Sequence, residues 1–280
     1  MVRPPLWQLP PGVSPGTWDY THTPAIADGY DEFLKSTPLV RLDLQLTRRY
    51  LPPPGKDRTT LIADLGCGSG RTAIPLSQAG YAVLGIDLSQ SMLTAMRGAA
   101  AQAHTPVMGL RANLVQLDAI GDDTVDHAIC LFSTLGMIRQ RRHRRQFLAH
   151  TARMLRPGGT FLVHAHHRRA WLRHPGGLRQ TLRSVWKSLT TDHEFGDHVY
   201  AYRNLADMYL HSFSRRELTA DLKSAGFQIE KVLRINLNGD RVLPPWALQI
   251  AGGFFVVGKV ERQRGEGDRA AANSRKTSPR

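Results

Sequence analysis

The feature that most constrains this fold is an alternation of short apolar segments with segments of helical periodicity between residues 61 and 165. Strands that alternate with helices form a parallel sheet, because each helix returns the chain to the edge where the next strand begins. We therefore predict an α/β fold with a doubly wound, mostly parallel sheet and helices on both faces. The predicted strands are 61–65, 81–86, 107–112, 125–132 and 160–165, and the predicted helices are 71–79, 89–103 and 141–155.

The segments outside this alternation complete the domain organisation. Residues 1–55 begin as a Pro- and aromatic-rich arm and continue with helical spacing that Pro38 interrupts, and Pro52 to Gly55 end it. The main domain then covers 56–260, with an insertion at about 168–211 that contains a basic helix near 177–190. A capping box predicts a helix from Ser214, and two strands, 227–235 and 254–260, close the domain. Residues 261–280 have no periodic core and are predicted to be a disordered tail.

A glycine-rich loop, Asp64-Leu-Gly-Cys-Gly-Ser-Gly70, follows the first predicted strand. Glycine permits positive φ and lets the backbone approach a ligand where a Cβ atom would collide. A P-loop requires Gly-x-x-x-x-Gly-Lys-Ser/Thr, whereas Arg71 follows Gly70 and Leu65 stands five positions before it. The dinucleotide pattern Gly-x-Gly-x-x-Gly also fails, because Arg71 occupies the position of the third glycine.

Two carboxylates accompany this loop. Asp87 ends the second predicted strand, 23 residues after Asp64, and a carboxylate there can accept both ribose hydroxyls of a nucleoside. Asp64 begins the loop, where it suits a cationic ligand group better than a pyrophosphate. The pattern favours a zwitterionic nucleoside without phosphates.

These motifs resemble those of the class I S-adenosylmethionine-dependent methyltransferases. The loop 64–70 resembles the first motif of the family, 85–89 the second, 121–126 the turn before the fourth strand and 155–159 the motif before the fifth. The resemblance implies a Rossmann-like sheet of seven strands with an antiparallel last strand, S-adenosyl-L-methionine as cofactor, and no metal. Asn113 stands where many members carry an Asp that binds the adenine amino group. The implied cofactor-binding residues are Asp64, Gly66, Cys67, Gly68, Gly70, Asp87, Leu88, Asn113, Leu114 and Phe132.

The acceptor is expected outside the carboxyl ends of the fourth and fifth strands. His166 is the candidate catalytic base, because histidine titrates near neutrality, and its alternative role is that of a packed strand residue. N-terminal aromatic residues either form a lid, as N-terminal segments do in similar enzymes, or anchor the arm: Trp18, Tyr20 and Tyr30. Polar aromatic residues of the insertion are candidate acceptor contacts, together with neighbouring polar residues: Tyr200, Tyr202, Arg203, Tyr209 and His211.

The charge distribution is strongly uneven. The net charge is +14, and residues 127–191 contain 13 Lys and Arg without one Asp or Glu. This stretch favours an anionic partner, or else a solvated basic face such as the one that five arginines between 139 and 145 would form. The leading prediction is methyl transfer to a small-molecule acceptor of anionic character. The alternatives are an RNA (tRNA) methyltransferase that uses the basic region 139–187, and a non-catalytic module that only binds S-adenosylmethionine.

Composition limits the remaining possibilities. The 280 residues, 41% of them hydrophobic, suffice for one large domain with decorations. The longest apolar run, 247–258, is too short to span a bilayer, and residues 1–5 show no apolar signal segment, so we expect no membrane partner. Two cysteines cannot form a disulfide framework or a cysteine zinc site, which favours the reducing cytoplasm. The oligomeric state stays open.

Overall fold

The helices and strands follow the predicted alternation. The computed structural model describes residues 3–23, 36–173, 176–191, 193–202 and 205–261. Its strands are β1 (Leu61–Leu65), β2 (Ala82–Asp87), β3 (Met108–Arg111), β4 (Val125–Cys130), β5 (Leu155–His166), β6 (Asp197–Tyr202), β7 (Leu205–His211), β8 (Phe227–Ile235), β9 (Val242–Leu243) and β10 (Gly253–Val260). Its α-helices are α1 (Pro15–His22), α2 (Pro38–Tyr50), α3 (Ala73–Gln78), α4 (Gln90–Gln102), α5 (Thr134–Met137), α6 (Arg141–Met154), α7 (Gly177–Thr190) and α8 (Arg215–Ser224). The chain also forms 3₁₀ turns at Leu6–Gln8 and Arg168–Arg173.

One sheet organises the molecule, with the strand order β3-β2-β1-β4-β5-β10-β8-β9. Strands β1 to β5 pair in parallel, whereas β10 is antiparallel to both β5 and β8. This arrangement confirms the predicted doubly wound α/β fold. The sheet has eight strands instead of the expected seven, because β9 adds a two-residue pairing to β8. A strand of two residues is too short to leave an alternating pattern in the sequence.

The sheet is buried on both faces, as parallel sheets require. Successive residues of one strand enter opposite cores: Phe254 packs on one face and Phe255 on the other. The first core includes Phe147 of α6, and the second includes Leu46 of α2, so helices cover both faces.

No α-helix in the described part of the chain combines the length and the apolar character needed to cross a bilayer.

The start of the fifth strand differs from the prediction. The tract Pro157-Gly158-Gly159 was expected to separate α6 from the fifth strand, but β5 already begins at Leu155. The tract instead lies inside β5, where the register with β4 shifts between Val125 and His127, and Gly158 adopts a φ of 80°. The predicted helix before Pro38 and the predicted tail after residue 261 lie outside the described residues.

The insertion forms a helix and a hairpin. Helix α7 matches the predicted basic helix, and β6 and β7 pair antiparallel as a separate two-stranded sheet. Ser214 caps α8 as predicted, since its Oγ accepts a hydrogen bond from the backbone N–H of Glu217 at 3.1 Å. The Glu217 carboxylate binds His211 and Arg168, so it links α8 to the insertion.

Candidate functional site

A cavity lies at the carboxyl ends of β1, β2 and β4, at the edge of the sheet where doubly wound folds bind ligands. Eight of the ten predicted cofactor-binding residues line it: Gly66, Cys67, Gly68, Asp87, Leu88, Asn113, Leu114 and Phe132. The other two, Asp64 and Gly70, are not part of the lining that the described residues form. The structure therefore brings most of the predicted set together around one space.

The glycine loop turns sharply out of β1. Gly66, Gly68 and Gly70 have φ values of 84°, 54° and 85°, a region that L-residues rarely occupy. The N–H of Gly66 donates to the carbonyl of Ile86 at 2.8 Å, which holds the loop against β2. A Cβ atom on Gly70 would overlap the side chain of Met96. Gly70 is thus required by packing against α4, whereas Gly66 and Gly68 expose backbone to the cavity.

Asp87 is fixed at the end of β2 by the backbone on either side of it. Its Oδ2 accepts from the N–H of Gly68 at 2.9 Å, and its Oδ1 accepts from the N–H of Ser89 at 2.8 Å. Burial raises the pKa of this carboxyl, while the backbone donors, chiefly those of Ser89 and Gly68, act in the opposite direction. The side chain therefore presents a positioned hydrogen-bond acceptor to the cavity.

Arg71 is a lining residue whose role sequence reasoning missed. Its guanidinium Cζ lies 4.4 Å from the centroid of the Phe132 ring, a cation–π geometry. Its Nη1 is buried and has no hydrogen-bond partner among the described residues. The sequence offers one sign of this role, because an arginine at position 71 replaces the third glycine of the dinucleotide pattern. The cavity therefore contains a cationic group with unused donor capacity.

Asp64 lies within electrostatic range of this cation. Its side chain is 3% exposed, and burial raises its pKa from 3.8 to about 7, with Arg71 lowering the value and Asp87 raising it. Its Oδ2 has no hydrogen-bond partner within the described chain. A buried acceptor without a partner is costly, so a donor supplied by a ligand would relieve it.

Asn113 ties the cavity to the N-terminal arm. Its Oδ1 accepts from the N–H of Val115 at 3.1 Å, and its Nδ2 donates to the carbonyl of Pro11 at 2.9 Å. A further contact from Nδ2 reaches Gln116 Oε1 at 3.3 Å. The amide thus positions the arm as well as facing the cavity.

The arm forms one wall of the cavity through Gly12, Val13, Thr17, Tyr20 and Thr21. The carbonyl of Gly12 accepts from the N–H of Arg139 at 2.8 Å, and Gly16 packs directly on the backbone of Asp207 in β7. Arg3 adds ion pairs with Asp19 and Asp207. Trp18 stacks on His22 of the same helix at 3.8 Å between ring centroids, so this contact lies within the arm. Of the predicted lid residues, Tyr20 lines the cavity, and Tyr30 lies outside the described residues.

Phe132 and Ser133 leave β4 in a strained conformation. Both are non-glycine residues in the left-handed region, with φ values of 52° and 64°. The N–H of Phe132 donates to Asp43 Oδ2 at 3.2 Å, and Ser133 Oγ accepts from the N–H of His166 at 3.0 Å. Such residues cost of order 1–3 kcal/mol each and persist where the surroundings enforce them. The strain turns the Phe132 ring into the cavity wall.

His166, the candidate base, is absent from the part of the cavity lining that the structure describes. Burial, together with nearby His164, lowers its pKa from 6.5 to about 3, although Asp43 acts in the opposite direction. At neutral pH it is an uncharged and very weak base, so its surroundings favour the packed-residue alternative. The catalytic role of His166 stays a prediction without geometric support.

Residues of the insertion that were candidate acceptor contacts have structural partners. Tyr209 is buried and donates its hydroxyl to Asp197 at 2.6 Å. His211 is fully buried, with Nδ1 at 2.7 Å from Asp197 and Nε2 at 2.9 Å from Glu217. The Tyr202 ring lies 6.3 Å from that of Tyr20, at the arm. Arg203 lies outside the described residues.

The arginine-rich helix α6 also turns its charges inward. Arg144 is completely buried and forms an ion pair with Glu194. Arg141 and Arg145 both bind Asp221, at 2.9 Å and 2.8 Å. Three of the five arginines between 139 and 145 therefore hold the insertion and α8 against the sheet.

Comparisons with known proteins agree with this architecture. A sequence profile described as a methyltransferase domain matches residues 62–159. An S-adenosylmethionine-dependent methyltransferase from Methanosarcina mazei has the same fold, with a TM-score of 0.61 and 19% identity over 77% of this chain and 97% of that one. Residues 62–159 thus match a methyltransferase domain, and the chain has the fold of a solved S-adenosylmethionine-dependent methyltransferase. The matched segment includes the glycine loop and Asp87.

Other methyltransferases resemble the chain in fold or in sequence. A 1,6-didemethyltoxoflavin-N1-methyltransferase from Burkholderia thailandensis, solved with 1,6-didemethyltoxoflavin and S-adenosylhomocysteine, has a TM-score of 0.57 and 18% identity, covering 90% of this chain and 93% of its own. Two provisionally named methyltransferases are similar in sequence. The one from Geobacillus sp. is 24% identical over 49% of this chain and 54% of its own length, and YqeM of Bacillus subtilis is 26% identical over 50% and 53%. The chain thus spans about half the length of the curated relatives it matches.

Proposed function

We propose that this protein transfers a methyl group from S-adenosylmethionine to a small-molecule acceptor. The observation that carries the proposal is the cavity, in which the glycine loop and the Asp87 carboxylate face a wall built by the N-terminal arm. When bound, the cofactor supplies an electrophilic methyl group on a sulfonium. The protein then needs to bind, orient and shield the reactants.

The lining fits the chemistry of the cofactor. Asp87 would accept the ribose hydroxyls, and the apolar side chains of Leu88 and Leu114 suit a nucleobase. Arg71 has free donor capacity for a carboxylate, and Asp64 lacks a donor that an ammonium group would provide. One cation and one anion beside the same loop therefore suit the zwitterionic end of the molecule.

The enclosure of the cavity favours a small acceptor. The arm covers it through five residues, and the arm itself is fastened to β7 and to Arg139. The Burkholderia enzyme of similar fold, which was solved with 1,6-didemethyltoxoflavin bound, supports the same substrate class. An RNA acceptor has less support, since Arg141, Arg144 and Arg145 bind internal carboxylates.

The proposed transfer uses an acceptor atom that is already nucleophilic. Among the described lining residues, the carboxylate and thiol groups that could take up a proton belong to Asp87 and Cys67. Asp87 is committed to backbone donors, and burial raises the pKa of the Cys67 thiol far above neutrality. An amine or ring nitrogen with a free lone pair fits this environment, because it requires no prior deprotonation.

The cofactor site is tested by calorimetry of S-adenosylmethionine and S-adenosylhomocysteine with Asp87→Ala. Loss of charge-assisted hydrogen bonds, about 1.5–3 kcal/mol each, predicts a fall in affinity of about tenfold to more than a hundredfold. Asp118→Ala is the matched control, because that carboxylate is 82% exposed and distant in the chain from the loop. Equal affinities for the wild type and Asp87→Ala would contradict the assignment.

The acceptor class is tested by incubating cell extract with labelled cofactor and the protein, followed by separation into RNA, protein and small-molecule fractions. We expect label in small-molecule products that are separated from the cofactor itself, and at least about tenfold less of it with Asp87→Ala at a cofactor concentration that does not saturate the variant. Label confined to RNA would refute the proposed acceptor class. Cofactor binding without transfer to any fraction would instead identify a binding module.

A further inference from the structure

Helix α7 exposes a continuous apolar stripe. Its five large apolar side chains recur at helical spacing and therefore share one face: Leu178, Leu182, Val185, Trp186 and Leu189. They are 65%, 62%, 39%, 65% and 81% exposed. A scattered exposed leucine needs no explanation, but a contiguous stripe along a whole helix marks an interaction surface.

The opposite face of α7 is the one that packs on the protein. Gly177 fits so closely against the backbone of Trp171 that a Cβ atom would overlap it. Ser184 is buried and its Oγ lies 2.8 Å from His193 Nε2. The helix thus buries small and polar residues and turns its leucines and tryptophan outward, which reverses the usual orientation of a surface helix. The stripe therefore does not contribute to this domain's own core.

Basic residues accompany the stripe. Arg179, Arg183 and Lys187 lie on α7, and residues 177–190 contain no Asp or Glu. Arg179 and Arg183 are exposed, and Lys187 is half-buried. A helix with an apolar face that includes Trp, a basic polar face and no acidic residue has the composition of helices that lie in the interface of an anionic bilayer. Long basic side chains can extend to the lipid phosphates while their stems cover the acyl boundary.

We propose that α7 binds the surface of an anionic lipid bilayer, with its apolar stripe inserted at the level of the head groups. Its 14 residues extend about 21 Å, shorter than the roughly 30 Å hydrocarbon core, so the helix lies in the membrane plane and does not cross it. This binding is independent of the proposed methyl transfer. It revises the expectation, drawn from the lack of a long apolar run, that a membrane is not a partner.

Lipid fits this surface better than a second copy of the chain. Two α7 helices placed stripe to stripe would bring together two sets of basic side chains, and like charges at an interface oppose association. The stripe also lies on one convex helix, a shape to which a fluid bilayer conforms. A rigid partner would need an acidic groove of matching form.

The test is flotation of the full chain with vesicles of phosphatidylcholine alone or mixed with phosphatidylglycerol. We expect binding to the mixed vesicles and release by salt, because anionic lipid attracts the basic face. The double variant W186S/L189S should bind about tenfold or more weakly, since two apolar side chains no longer insert. The variant R183Q/K187Q should lose about fivefold for each charge removed.

The matched control is W246S/L248S, which removes a Trp and a Leu that are 81% and 100% exposed outside α7. We expect it to bind like the wild type, and circular dichroism should show that each variant is folded. Absence of binding to the mixed vesicles would overturn the proposal, as would equal binding by W186S/L189S. Light scattering that reveals a dimer which W186S/L189S abolishes, without vesicle binding, would assign the stripe to a second copy instead.

Discussion

The buried Asp64 is expected to lower the stability of the ligand-free protein at neutral pH. Its side chain is 3% exposed, and burial raises its pKa from 3.8 to about 7. Because the folded pKa lies above the unfolded one, the contribution of Asp64 to stability is fully present below about pH 4. It is lost as the pH rises through about 7, since the unfolded chain releases the proton more readily. The substitution Asp64→Asn removes this titration.

The magnitude follows from the shift. A difference of about 3 between the folded and unfolded pKa values corresponds to a loss of about 4 kcal/mol of stability, at 1.36 kcal/mol for each pH unit. The full loss is reached once the pH exceeds the folded pKa. Asp64→Asn should therefore be more stable than the wild type at about pH 8, by up to about 4 kcal/mol. In a domain of this size each kcal/mol moves Tm by roughly 2–4 °C. The same variant should bind S-adenosylmethionine more weakly if Asp64 faces the ammonium group, so stability and binding should change in opposite directions.

The assay is urea denaturation of both proteins, without cofactor, between about pH 5 and pH 8. The stability difference should widen with rising pH and level off above the folded pKa. Asp118→Asn is the control, because its exposed carboxylate should give no such widening. A difference that is constant with pH, or that narrows as the pH rises, would show that Asp64 is not held in a desolvating environment and would refute the reasoning.

Three further predictions follow from particular contacts. Gly16→Ala should displace the arm, because a Cβ atom would overlap the backbone of Asp207, and calorimetry should show weaker cofactor binding; Gly98→Ala, in open space on α4, should not. Arg144→Met should lower the unfolding free energy by about 3–5 kcal/mol, since it removes the buried cation that pairs with Glu194, whereas Glu217 keeps Arg168. Cys67 and Cys130 should resist thiol reagents until the protein unfolds, because burial raises the pKa of both thiols.

The sequence predicts the central sheet well, because its signals are local and periodic. A few neighbouring residues suffice to recognise the apolar runs at β1, β2 and β4. The same holds for the helix caps at Ser89 and Ser214. The cofactor motifs are readable for the same reason, since the loop and Asp87 are separated by a single helix. The boundary of β5 was missed because the pairing with β4 tolerates the Pro-Gly-Gly tract through a register shift.

The rest of the site depends on contacts between distant parts of the chain. The wall that the arm contributes rests on Asn113 binding Pro11, about a hundred residues earlier. Likewise, periodicity identifies α7 as amphipathic but does not reveal which face meets the protein. Only the packing of Gly177 on Trp171 shows that the small, polar side is the buried one.

The sequence pattern suggests that the basic stretch serves an anionic partner, whereas many of its arginines pair with carboxylates of this chain. Six of the arginines in the acid-free stretch bind carboxylates supplied by flanking segments: Arg141 and Arg145 (Asp221), Arg144 (Glu194), Arg153 (Asp122), Arg156 (Asp126) and Arg168 (Glu217). These pairs fasten α6, β5 and the insertion together, so most of the charge near the sheet is structural. The basic residues of α7 have no acidic neighbour along their helix and stand beside exposed apolar side chains. Three of the seven basic residues that remain in the stretch lie on α7 beside these apolar side chains, so we place the anionic partner at the α7 surface rather than at the acceptor pocket.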